Sequence, residues 1–123
     1  MNSVMVNNER VNDILRDLNN NSNVITSLVI SKSGMHIAGQ PPAGVHLETF
    51  VAMAAVLLSA AESASSGLKG ELEDVFIELD RSRVIIESVG NKGLLVVVTN
   101  TKENHDNLHE QVKKVIRDLI SLI

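Results

Sequence analysis

The chain has 123 residues, 44% of them hydrophobic, and a formal net charge of −4. That length suits one domain with its own core, and the apolar content argues against disorder. The absence of cysteine excludes disulfides, thiolate metal sites and cysteine nucleophiles. The acidic balance argues against a nucleic-acid footprint, and the two aromatics, Phe50 and Phe76, offer little for bases or sugars to stack on.

Residues 1–10 mix Asn, Glu and Arg and lack the basic-then-apolar pattern of a signal peptide. The longest apolar-leaning stretch, 50–61, is broken by Ser59 and reads as too short to cross a membrane. No lipid-attachment box stands at the C-terminal end. The expectation is a cytoplasmic protein without membrane insertion.

In chain order, Val11, Ile14, Leu15 and Leu18 predict an amphipathic helix over 7–18, stopped by the run Asn19-Asn20-Asn21-Ser22-Asn23. The β-branched stretch 24–31 predicts a strand. Lys32-Ser33-Gly34 then turns the chain into a short second strand over 35–38. Residues 39–44, with Pro41-Pro42, read as a hinge-like connection.

A long helix is predicted over 46–68, with Leu47, Phe50, Val51, Ala54, Leu57, Leu58, Ala61 and Leu68 as its core stripe. Gly67 and Gly70 are its two candidate stops. Three strands follow over 75–79, 84–89 and 94–99, the last two joined by the hairpin turn Gly90-Asn91-Lys92-Gly93. The nearly all-apolar 94–99 reads as a central strand buried on both faces. A final helix starts near Asn100 or Thr101 as N-cap, with Leu108, Val112, Val115, Ile116, Leu119 and Leu122 on one stripe. Hairpins joined by helices imply an α+β domain: a mainly antiparallel sheet with helices on both faces.

The long helix is the informative element. Turned at about 100° per residue, its outward face carries Glu48, Thr49, Ala52, Val56, Ser59, Ala60, Ser63, Ser66 and Gly67. Lys and Arg are absent from 46–68, and Glu62 is the one further acid. A solvated helix face is normally rich in charge, whereas small residues let a second backbone approach closely. The outward face is therefore expected to be covered by another copy or another protein; the alternative is a plain surface helix rich in Ala and Ser, as the helix propensity of Ala permits.

Catalytic motifs are weak by comparison. His105-Asp106-Asn107-Leu108-His109 mimics the metalloprotease His-Glu-x-x-His, but Asp is one methylene short of the general base and no third ligand follows. Neither Gly90-Asn91-Lys92-Gly93 nor Lys69-Gly70 is a phosphate loop, and Gly-x-Ser-x-Gly is absent. Arg81 or Arg83 could serve as a charge-stabilising finger toward a nucleotide held by a partner. The alternative is a solvated turn. The chain reads as a non-enzyme without cofactor or metal.

In element order, and over a domain spanning 6–122, the sequence resembles the Roadblock / dynein light chain family in its prokaryotic form. The resemblance rests on Val24-Ile25-Thr26-Ser27-Leu28-Val29-Ile30-Ser31-Lys32-Ser33-Gly34 and on Phe50-Val51-Ala52-Met53-Ala54-Ala55-Val56-Leu57-Leu58. Val75-Phe76-Ile77-Glu78-Leu79 and the hairpin before Leu94-Leu95-Val96-Val97-Val98 add to it. Ser33-Gly34 stands where the family has Asp-Gly.

The resemblance implies a profilin-like three-layer α-β-α sandwich around a five-stranded antiparallel sheet. It implies a homodimer formed by long helices and third-strand edges, through Ala52, Val56, Ser59, Ala60, Ser63, Val75, Ile77 and Leu79. It also implies a Ras-like small GTPase partner, met as its regulator or effector through Glu48, Ala52, Ala55, Ser59, Glu62 and Ser63. The family's bacterial polarity regulator needs no arginine finger, so neither Arg81 nor Arg83 is required for catalysis. The alternative is a structural dimerisation subunit of a larger complex with no GTPase partner.

Overall fold

The apolar run before Thr99 forms the middle of the sheet. In the computed structural model, which describes residues 2–100 and 106–123, every residue of Gly93–Thr99 is buried. The elements are α1 (Asn2–Asn19), β1 (Val24–Ser31), β2 (His36–Gly39), α2 (Leu47–Ser65), β3 (Val75–Glu78), β4 (Arg83–Val89), β5 (Gly93–Thr99) and α3 (Asp106–Ile120). The five strands lie in the order β2-β1-β5-β4-β3, with every neighbouring pair antiparallel.

Successive strand side chains point to opposite faces, so the central strands feed two cores. Leu95 and Val97 join Val11, Leu15 and Leu18 of α1 and Leu108, Val112 and Leu119 of α3. Leu94, Val96 and Val98 join Val51, Ala54 and Leu58 of α2. The result is the expected three-layer sandwich: α2 on one face, the two terminal helices on the other.

Several expected boundaries move. The long helix ends at Ser65, and Ser66 caps it by donating its backbone N–H to the Ser63 carbonyl. Leu68 therefore leaves the helix and stands 71% exposed instead of joining the core stripe. Leu57, also expected on that stripe, lies at its rim and is exposed. The third strand stops at Glu78, because the Leu79 N–H donates to the Ser82 carbonyl at 2.8 Å and closes a turn. At the other end of the sheet, Asn100 donates its backbone N–H to Asn23 and its side-chain amide to Ser22, tying β5 to the Asn-rich loop. The other proposed cap, Thr101, lies outside the described residues.

The hinge-like reading of Gly39 is also corrected. Gly39 ends β2 at φ +86°, where an added Cβ would collide with the Ser27 carbonyl and sit 2.8 Å from Leu28 Cα. It is a tightly packed contact that a side chain cannot enter. Gly34 supplies the expected positive φ, +90°, in the first turn, donating its N–H to Ser31.

Candidate functional site

The outer face of α2 is built by subtraction. Val51, Ala54 and Leu58 bury themselves on the sheet, with Leu47 and Phe50 half-buried beside them. The 3.6-residue period then turns everything between them outward. Ala52, Met53, Val56, Ser59, Ala60, Ser63 and Ala64 are all exposed, Val56 by 58% and Met53 by 52%. Over 19 residues, about 28 Å at about 1.5 Å per residue, the charges are Glu48 and Glu62 alone. By length and composition this helix could cross a membrane. Shortness therefore does not exclude a span, contrary to the sequence-based expectation; in this fold the helix packs its inner stripe on the sheet.

The helix is capped by a histidine. The Thr49 N–H donates to His46 Nδ1 at 3.3 Å, so His46 serves the backbone at the start of α2. Its ring satisfies one of the free donors of the first turn.

One flank of the exposed face forms a groove against the β1–β2 turn. It is about 490 Å³ and has Lys32, Ser33 and Gly34 on one wall. On the other stand Ala52, Ala55, Val56, Ser59, Ala60 and Ser63. Gly34 brings the turn close: a Cβ there would lie 3.7 Å from Ala52 Cα and 3.8 Å from Ala55 Cβ. Lys32 reaches across to Glu62 at 3.7 Å. All the small residues expected to meet a partner are thus brought together. Glu48 stands exposed at the start of the same helix.

β3 lies at one end of the sheet, so its outer edge has no strand partner among the described residues. Val75 and Ile77 turn their side chains in toward the α2 core. An edge-on partner therefore meets their backbone, and the outward side chains are Phe76, 50% exposed, and Glu78. Leu79 is exposed in the turn beyond the strand.

The model of the Roadblock/LC7 domain matches residues 10–99. The chain belongs to the Roadblock/LC7 family. MJ0714 of Methanocaldococcus jannaschii is 38% identical over 96 residues, covering 76% of this chain and 80% of that protein. Among solved structures, an MglB with tetrameric arrangement superposes at TM-score 0.84 with 17% identity, over 94% of this chain and 89% of its own. Myxococcus xanthus MglB gives 0.83 and 16%, over 92% and 94%. At these identities the two structures show a shared fold.

In this Roadblock/LC7 domain the arginines of the β3–β4 region are occupied differently. Arg81 is exposed in the turn, whereas Arg83 opens β4, pairs with Glu78 and lies 5.1 Å over the Phe76 ring. Among the described residues no group of three or more His, Asp or Glu is placed to hold a metal. His109 is exposed, and His105 lies outside the described residues. Sequence reasoning missed the turn wall, Lys32 and Ser33, because only the fold carries it to α2. It also passed over Met53 and Phe76, although an apolar residue at an outward position of each pattern was a usable signal.

Proposed function

We propose that this Roadblock/LC7 protein is a non-catalytic, self-associating regulator or scaffold that binds a Ras-like small GTPase in the cytoplasm. It acts by holding the GTPase's switch loops in one state and contributes no reacting group. The observation that carries this is the pairing of an outward α2 face that is small or apolar with a β3 edge that, among the described residues, has no strand partner beside the same layer.

Each half of that surface is costly to leave in water. A contiguous apolar patch marks an interaction site, and an open strand edge presents unpaired N–H and C=O groups. A second copy covers both: α2 packs on α2 through Ala52, Val56, Ser59, Ala60 and Ser63, while β3 meets β3 through backbone at Val75 and Ile77. The tetrameric arrangement of a structurally similar MglB supports self-association in this fold. The GTPase then meets the flank formed by Glu48, Ala52, Ala55, Ser59, Glu62 and Ser63, bordered by Lys32.

The test mixes the purified protein with small GTPases of the same organism, loaded with GDP or a GTP analogue. Nucleotide-dependent binding or faster hydrolysis is expected with at least one. Indifference to all of them in both states would contradict the GTPase role. Stable co-purification with other proteins, regardless of nucleotide, would favour the structural-subunit alternative.

A further inference from the structure

The sheet face opposite α2 carries a second groove, between α1 and α3. It is about 480 Å³ and is lined by Arg10, Asp13 and Ile14 from α1 and by Arg117, Asp118 and Leu122 from α3 and the residues after it. Ile14 and Leu122 are half-buried against the core and give the groove an apolar floor. Its lining carries two arginines and two aspartates. Asp13 pairs with Arg16 at 2.6 Å, and Asp118 with Lys114 at 3.4 Å, so both carboxylates are already taken along their own helices.

Arg10 and Arg117 have no ion-pair partner among the described residues. The reason is legible in the spacing. Helical ion pairs form three or four residues apart. The acid so spaced from Arg10 is Asp13, which bonds to Arg16, while Arg117 has Lys113, Lys114, Ile120 and Ser121 at those positions. A cation near the end of α3 suits the helix dipole, but that does not account for a second one on α1 lining the same groove. In a chain of net charge −4, this is a local pair of free guanidiniums beside an apolar floor.

Guanidinium groups bind carboxylates through paired, charge-assisted hydrogen bonds. We propose that the α1–α3 groove docks an acidic peptide segment of a partner protein, Arg10 and Arg117 each taking a carboxylate while an apolar side chain between them rests on Ile14 and Leu122. The groove faces away from α2, so this contact is independent of self-association and of whatever α2 binds.

The test titrates the full chain with a fluorescein-labelled peptide of alternating Glu and Leu, and with its Gln-for-Glu counterpart, reading anisotropy and amide NMR shifts. The acidic peptide is expected to bind, to shift amides near residues 10–14 and 117–122, and to weaken as salt rises from about 0.05 to about 0.3 M. The double variant Arg10→Glu/Arg117→Glu should lose about tenfold or more in affinity, and Lys69→Glu, in the exposed loop after α2, none. The milder Arg10→Gln/Arg117→Gln pair should also weaken binding, with an unchanged amide spectrum elsewhere reporting an intact fold. Equal binding of the Gln peptide, unchanged affinity in the folded variants, or no binding at about 1 mM peptide would overturn the proposal. Capture by phosphatidylserine vesicles in place of the peptide would also overturn it.

Discussion

Glu87 shows what a single buried carboxyl does to this fold. It is the one charged residue buried among the described residues, 2% exposed on β4. Burial, and then the neighbouring Asp74, push its carboxyl from the ordinary 4.5 up to about 7, against the pull of Lys113 at 3.6 Å. Between pH 4.5 and 7 the folded chain keeps a proton that the unfolded chain has released, so stability falls as pH rises through this window. The full loss is on the order of 3 kcal/mol, since one pKa unit corresponds to about 1.4 kcal/mol. Glu87→Gln should remove this slope. Urea denaturation at several pH values should show wild type losing about 2 kcal/mol relative to the variant between about pH 5 and 8; parallel pH profiles would contradict it. Gly39 gives a second test at this scale. Gly39→Ala places a methyl against backbone and should cost about 2 kcal/mol or more. Gly44→Ala, at φ +80° but in open space, should cost about 1 kcal/mol. Equal thermal midpoints for these two variants would refute the packing account of Gly39.

At the scale of elements, α2 divides into a face packed on the sheet and an exposed face proposed to bind a partner. Leu58→Ala removes a side chain that is 2% exposed on the sheet and should cost about 2–5 kcal/mol. In a background held monomeric, Val56→Ala on the outer face should change stability by about 0.5 kcal/mol or less. Chemical denaturation of the two variants checks the contrast. Much of this was legible in the sequence. Period-2 and period-3.6 patterns placed all five strands and the three helices, and the nearly uncharged reverse of α2 is the face that lies exposed. The errors have a common physical origin. Periodicity reports which way a side chain points, but not how far the supporting sheet extends beneath it. Leu57 and Leu68 point or lie beyond that support, and Leu79 falls in a turn past the strand. Glu87 was illegible for the converse reason: it becomes buried only where α3 brings Lys113 against β4.

For the whole molecule, the sheet isolates two chemically different surfaces. One carries α2 with the turn wall of Lys32, Ser33 and Gly34, and β3 is the last strand of the sheet. The other carries the α1–α3 groove, lined by Arg10 and Arg117. The hub proposed above would join a copy of itself to other proteins. Its first requirement is that the α2 face be covered by a second copy. Ala60 is exposed at the outermost line of that face, so an arginine there would be solvated in a monomer but buried without a partner in a dimer, at a cost of several kcal/mol. Sedimentation equilibrium at micromolar protein is the most direct measurement. Wild type should have twice the chain's 13.3 kDa or a higher multiple, and Ala60→Arg should shift to the monomer with its fold intact. A wild-type monomer, or a variant with an unchanged oligomeric state, would contradict the account.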